Sequence, residues 1–369
     1  MSHVPGPEPL TKILQTVIMN PEFETAWKAR GCPSGDLPTD VLTLKTIVAS
    51  GLADLQKKLA ASRPANMTEA EYTIPLTTGF ASRILVCHVK HEVEPDGGRP
   101  RRPAPILLLF HGGAHVLGYP EFDIPLAREL AAAHGAVVIC PSTRKAPEDP
   151  FPAMIDDAWA ILQLVASDLS AESASSRILL PRHADARAGF LVGGTSSGAN
   201  FADVVVHLAH DAGLAPRVTG QFLICGAFMD PGRVPERYRD RYLSMEQNKE
   251  APVVNYKFMQ AFREAIGPDV NSPLWAPFDQ GHPDGIAAGH VGMPPTYFQV
   301  CGMDMNRDDG LIYERVLREE CKVPTRLDVY SGFPHCWWDM YPELEASRKR
   351  MEDMVRGVGW LLGPGLTES

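Results

Sequence analysis

The stretch Phe190-Leu191-Val192-Gly193-Gly194-Thr195-Ser196-Ser197-Gly198-Ala199-Asn200 decides how this chain is read. It opens as an apolar strand-like run and passes through small residues. It then enters Ala199–Ala212, a helical stretch with Gly213 as its expected C-cap. Gly194 to Gly198 fit G-x-S-x-G. A strand turning this sharply into a helix strains the backbone at the central serine and needs small neighbours so that strand and helix can approach. The helix N-terminus then lies beneath Ser196 and favours negative charge developing there. A phosphate-binding glycine turn competes with this reading, but the segment has no G-x-G-x-x-G or Walker pattern.

Working outward, Ile106–Phe110 is an apolar run that leads directly into His111-Gly112-Gly113-Ala114-His115. Consecutive glycines after a strand leave backbone N–H groups unobstructed, which is what a developing oxyanion requires. An ordinary Gly-Gly loop would look the same in isolation. Downstream, the strand Thr296–Val300 is followed by Cys301-Gly302-Met303-Asp304-Met305-Asn306-Arg307-Asp308-Asp309-Gly310. The strand Arg326–Tyr330 is followed by Ser331-Gly332-Phe333-Pro334-His335. Acid and histidine thus follow the serine, each at the C-terminal end of a strand, where open parallel sheets place their sites. His335 is the candidate general base, and an aspartate would fix its tautomer.

The other elements alternate. Tyr72–Leu76, Arg83–Lys90, Ala136–Cys140, Gly189–Gly194 and Val218–Ile224 read as strands. Phe122–His134, Ala153–Ser167, Leu311–Glu320 and Pro342–Leu361 read as helices. Continuous rather than alternating apolar runs mark strands buried on both faces, so the expected fold is α/β, a mostly parallel doubly wound sheet. Leu10–Met19, Glu22–Arg30 and Val41–Leu59 form a helical N-terminal segment broken by Pro21 and by the Gly31–Pro38 turn cluster. Ser170–Ala188 reads as a surface excursion, and Arg233–Phe278, with a helical stretch at Val253–Ile266, as a long insertion.

Among 369 residues, 44% are hydrophobic and 22% charged, a globular profile with room for a large domain and an added subdomain. The net charge of -10 repels polyphosphate, so no nucleic acid is expected as a partner, and the basic run Arg99 to Arg102 reads as a solvated loop. The first residues carry no secretory pattern, and no apolar run approaches the ~18–20 residues of a membrane span. Seven cysteines without metal-type spacing, with Cys87, Cys140, Cys225 and Cys301 in or beside apolar strands, fit reduced buried thiols and a cytoplasmic location.

These blocks together resemble the hormone-sensitive-lipase-like family of α/β-hydrolases, in its bacterial and fungal esterase form, over roughly residues 70–369. The family's H-G-G-G stretch corresponds to His111-Gly112-Gly113-Ala114, and its next block to Arg144 through Ala153. Its G-D-S-A-G elbow corresponds to Gly194–Gly198, with Thr195 and Ser197 substituted. Its G-x-D-P-L-x-D motif falls in register on Asp304, with Met305 and Asn306 in place of the usual pair. The resemblance implies an α/β-hydrolase fold with a helical cap. It divides the chain into 1–70 (cap segment), 71–230 (core, first part), 231–278 (cap insertion) and 279–369 (core, second part).

It also implies a serine carboxylic-ester hydrolase that works through an acyl-enzyme on a small or medium apolar ester, with no cofactor and no metal. Ser196, Asp304 and His335 would be catalytic, and the N–H groups of Gly112, Gly113 and Ser197 would hold the oxyanion. Ala114, in place of the third glycine, can still donate its N–H. Asp308 and Asp309 rival Asp304 as the acid but are expected to cap the following helix. The cap would shape the pocket, with Phe23 and Trp27, Tyr119 and Phe122, Met245 and Phe258, and Trp337 as candidate lining residues. A homodimer is an open expectation. Acyl transfer, lactone chemistry and a natural-product biosynthetic hydrolase are alternatives with the same triad. A non-catalytic small-molecule receptor is an alternative on the same fold.

Overall fold

A computed structural model of the chain describes residues 10–32, 40–90, 103–171, 176–279 and 289–363. The N-terminal leader reading, the basic run at 99–102 and most of the Gly31–Pro38 turn cluster lie outside the described residues. Eight strands form one sheet: β1 Met67–Pro75, β2 Ala81–Val89, β3 Ile106–Phe110, β4 Val137–Pro141, β5 Phe190–Thr195, β6 Gly220–Ile224, β7 Thr296–Met303 and β8 Thr325–Pro334. Their order is β1-β2-β4-β3-β5-β6-β7-β8. The six strands from β4 to β8 across the sheet are parallel, whereas β1 and β2 form an antiparallel hairpin and β2 runs antiparallel to β4.

Both faces of the parallel part are covered. Along β3, Leu107 and Leu109 join one apolar cluster while Ile106, Leu108 and Phe110 join another, the period-2 pattern of a strand buried on each side. Helices α1 Leu10–Gln15, α2 Pro21–Ala29 and α3 Val41–Ala61 precede the sheet. On one face lie α4 Ile124–His134 and the closing helix α11 Glu345–Leu362, contributing Leu126, Leu130, Met354 and Val358. On the other lie α5 Ala153–Leu169, α6 Ser197–Asp211 and α9 Arg307–Arg315, contributing Ile155, Ile161, Val205 and Tyr313. The insertion between β6 and β7 carries α7 Ser244–Gln247 and α8 Tyr256–Ile266, and α10 Trp337–Met340 precedes α11. Among the described residues no helix is long and apolar enough to cross a membrane.

Asp308 and Asp309 do not cap the helix that contains them. They lie in the first turn of α9 and reach outward. Asp309 accepts the N–H groups of Phe228 and Met229 at 2.8 Å each and the Tyr242 hydroxyl at 2.9 Å. Asp308 accepts the N–H groups of Leu243 and Ser244 at 2.6 and 2.7 Å and pairs with fully buried Arg307. The first N–H groups of α9 find other acceptors, Arg307 donating to the Asp304 carbonyl at 3.1 Å and Asp308 to Ser244 Oγ at 3.3 Å, which frees the two carboxylates to hang the insertion on the loop after β7.

The N-terminal helices reach the same loops from outside. Gly332 donates to the Thr16 carbonyl at 2.7 Å, and Asn20 donates to the Gly332 carbonyl at 3.0 Å. Phe23 packs edge-on against Phe333 and Tyr341. Lys45 on α3 donates to the Ala146 carbonyl at 2.9 Å.

Candidate active site

Ser196 stands between β5 and α6 with φ 57° and ψ −119°, a conformation that a non-glycine residue holds only where its surroundings enforce it. The enforcement is local. Its N–H donates to the Ile224 carbonyl at 2.7 Å, and Ala199 donates to the Ser196 carbonyl at 3.0 Å. A methyl group at Gly198 would land on the Phe110 carbonyl oxygen, so α6 can approach β3 this closely only without a side chain there.

The loops after β7 and β8 bring their residues to the same spot. His335 Nε2 lies 2.9 Å from Ser196 Oγ, and His335 Nδ1 lies 2.6 Å from Asp304 Oδ2. The second Asp304 oxygen accepts the Asn306 N–H at 2.9 Å, and Asn248 Nδ2 donates to the Asp304 carbonyl at 2.8 Å. Asp304 is 1% exposed and His335 6%. With Nδ1–H donated to the carboxylate, Nε2 is left as an acceptor for the serine hydroxyl. Burial works against a charged imidazole, but the charge and hydrogen bond of Asp304 outweigh it and push His335 up to about 9. Burial raises Asp304 as well, while His335 pulls it down. The arrangement can take a proton from the serine and hold it beside a buried carboxylate.

The loop after β3 lies against this group. Gly112, Gly113 and Ser197 line one cavity together with Ser196 and His335. Gly113 has φ 125°, and a Cβ there would strike the Leu117 carbonyl. Ala114 and His115 also take positive φ, 52° and 60°. Leu117 and Val116 donate back to the Gly113 carbonyl at 2.7 and 3.0 Å, closing the loop. His111 Nδ1 sits 2.7 Å from the Gly112 carbonyl. Burial, with Lys145 nearby, lowers His111 to about 3, so the neutral ring donates to that carbonyl.

The cavity measures about 1000 Å³ and its surface is mainly apolar. Phe122, Met245 and Phe258 line it. The other expected lining residues do not. Phe23 and Trp337 are fully buried in the α4–α11 cluster and Trp27 packs against it, because they wedge the N-terminal helices against the β8 loop. Tyr119 packs against Phe122 from behind. Trp338, one position beyond Trp337, faces the cavity, as do Trp275 and Met259.

Several site residues lay outside the sequence reading. Asn200 donates to the carbonyls of Ala227 and Trp275 at 3.0 Å each, joining the elbow helix to the insertion. Cys225, Cys301 and Cys336 gather beside the histidine, with the first two sulfurs 3.1 Å apart. Cys225, His335 and Cys336, or Cys225, Cys301 and Asp304, could hold a thiophilic metal, but either set would occupy a residue that the serine–histidine–aspartate group uses. Asp123, Asp339 and Arg350 also line the cavity. The signal available in the sequence was weak, since Asp123 and Arg350 are 227 positions apart with no motif linking them.

The profile of a family described as alpha/beta hydrolase fold matches residues 107–339. An AB hydrolase superfamily protein of Schizosaccharomyces pombe is 31% identical over 79% of this chain and 83% of its own length. Carboxylesterase NlhH of Mycobacterium tuberculosis is 30% identical over 62% of this chain and 67% of its own. Among solved structures, vibralactone cyclase superposes with a TM-score of 0.81 at 25% identity, covering 94% of this chain and 96% of that one.

Proposed function

Because the chain belongs to the α/β-hydrolase fold family, among its hormone-sensitive-lipase-like esterases, we propose that it hydrolyses a carboxylic ester through an acyl-enzyme. Ser196 attacks the ester carbonyl while His335 Nε2 takes its proton. Asp304 holds the ring in the tautomer that makes this transfer possible and stabilises the imidazolium. The N–H groups of Gly112, Gly113 and Ser197 receive the oxyanion. His335 then protonates the departing alcohol, and water, deprotonated by the same nitrogen, frees the acid. The observation that carries the reading is the continuous contact from Ser196 Oγ to His335 to Asp304, at 2.9 and 2.6 Å, opening on a largely apolar cavity. That cavity suits a small or medium ester with substantial hydrocarbon surface.

Ser196→Ala is expected to remove p-nitrophenyl ester hydrolysis while leaving the circular dichroism spectrum intact. A fluorophosphonate adduct on the wild type should map to Ser196. Retained hydrolysis in a folded Ser196→Ala protein, or an adduct elsewhere, rejects the assignment.

A second reading has one observation behind it, the likeness to vibralactone cyclase. In that reading the acyl-enzyme surrenders its acyl group to a hydroxyl of the same substrate and closes a lactone. Mass spectrometry of the products formed from hydroxy-acyl esters separates a ring from a free acid.

A further inference from the structure

Three strand ends bring thiols to His335. Cys225 follows β6, Cys301 lies in β7, and Cys336 follows His335 beyond the end of β8. Far apart in the chain, they share no local motif; the sheet assembles them. All three are buried free thiols. The sulfurs of Cys225 and Cys301 are 3.1 Å apart. The sulfurs of Cys225 and Cys336 and a ring nitrogen of His335 all lie within 4.8 Å of one another. Around one zinc ion, two sulfurs and a nitrogen sit about 3.5–3.8 Å apart, given bonds of about 2.0–2.3 Å and tetrahedral angles. Closing this group on an ion therefore takes side-chain movements of about 1 Å.

The backbone points the same way. Cys225 and Cys336 both take positive φ, 51° and 49°. Non-glycine residues seldom hold this region, and those that do gather at active sites and ligand clamps. The proton relay from Ser196 to Asp304 uses neither sulfur. His335 and Cys336 line the cavity, so an ion can reach them by the substrate's own route, and Cys225 is buried beside them.

The donor set selects the ligand. Two thiols and an imidazole suit zinc and cadmium, whereas magnesium and calcium prefer oxygen. Ligation deprotonates each thiol, so two protons pass to solvent as the ion binds. Whichever ring nitrogen the ion takes, the relay loses it, since Nδ1 donates to Asp304 and Nε2 accepts from Ser196.

We propose that Cys225, His335 and Cys336 form an inhibitory site for Zn²⁺, reached through the substrate cavity, which stops turnover by taking the imidazole out of the relay. The inhibition rests on the ester-hydrolase reading of Ser196; the metal site does not.

Two titrations test it. Zn²⁺ is titrated against hydrolysis of p-nitrophenyl acetate. Wild-type turnover should fall as Zn²⁺ is added and return with a chelator. Each variant is compared with its own metal-free rate. The half-inhibiting Zn²⁺ concentration should rise by about 10-fold or more in Cys225→Ser and in Cys336→Ser, since even a residue that only orients a ligand changes metal affinity on that scale. Cys301→Ser should shift it far less. A larger shift in Cys301→Ser than in Cys336→Ser would place the ion on Cys225, Cys301 and Asp304 and overturn the assignment.

Cd²⁺ is titrated against the ultraviolet charge-transfer band of a cadmium thiolate, which needs no turnover. The band should form in Ser196→Ala as in the wild type. It should weaken in Cys225→Ser and in His335→Ala, and the difference between variants cancels signal from the remaining thiols. The answer stands even if Ser196 is not the nucleophile, and His335→Ala supplies it if a serine variant does not fold. A band that depends on neither Cys225 nor His335 overturns the site. A band that depends on both, in an enzyme that keeps full turnover at saturating Zn²⁺, overturns the inhibition.

Discussion

Asp304 accepts the His335 ring N–H, whereas Asp308 and Asp309 accept backbone N–H groups from the insertion. Substitution should separate these duties. Asp304→Asn is expected to cut kcat by about 10⁴, the scale seen when a histidine of this kind loses its aspartate, with little change in Tm near pH 9, where the raised His335 pKa has stopped contributing. Asp309→Ala removes the oxygen that accepts both backbone N–H groups together with the one that accepts the Tyr242 hydroxyl. It should lower stability by about 1–3 kcal/mol, read as a drop in Tm, since buried donors would go unpaired. Equal effects at both positions would remove the distinction. The relay also fixes a sign for pH dependence. Turnover needs His335 neutral, and Asp304 together with its hydrogen bond holds His335 up at about 9 against burial. kcat/KM should therefore still be rising with pH above 6.5, the ordinary imidazole value. In Asp304→Asn burial is opposed only by the weaker pull of Cys225 and Asp339, so proton inhibition of the residual activity should move to lower pH. The raised pKa also stabilises the fold. That contribution is full below 6.5 and is lost as pH rises toward about 9, so wild-type Tm should fall across this window more than that of Asp304→Asn.

At the scale of elements, β5, α6 and the loop after β3 pack as one body. Gly198→Ala would drive a methyl group into the Phe110 carbonyl and should abolish folding or soluble expression. Gly51→Ala, at an exposed position of α3 with open space around it, should raise stability by roughly 0.5–1 kcal/mol through helix propensity alone. Opposite shifts in urea midpoint check the pair. The same contrast explains what could be read from the chain. Ile106–Phe110 shows its bounds in the sequence because a strand buried on both faces is an unbroken apolar run ended by glycines. The direction of β1 and β2 was not legible, because alternation reports which face is buried and not which way a strand runs. The start of α9 was missed at Arg307-Asp308-Asp309-Gly310, since acidic residues before a glycine look like a cap when their partners lie 64–81 residues away. The elbow and the two strand-end loops that carry Asp304 and His335 stood out because each puts its chemistry beside a local pattern. Arg350 and Asp123 did not, because only the packing of α11 against α4 brings them to one wall.

At the scale of the molecule, the N-terminal helices clamp the loops bearing His335 and Asp304, and none of residues 10–32 lines the cavity. Removing residues 1–32 should therefore lower Tm and depress turnover of acetyl and decanoyl p-nitrophenyl esters in similar proportion. A folded truncation that lost only the long-chain ester would show instead that the segment governs acyl length. The crowded elbow has a wider consequence. With no free volume around Gly198 and a serine held in an enforced conformation, the reactive end of the molecule is closed to evolutionary drift. The insertion hangs from two aspartates by a few contacts, and those of its cavity-facing side chains that take no part in them, such as Met245, Phe258 and Met259, can change without disturbing them. Lineages that share this scaffold are free to exchange one metabolite for another by altering residues 231–278, and a directed-evolution library confined to that segment should yield many folded variants with new selectivities where one aimed at 193–199 yields almost none.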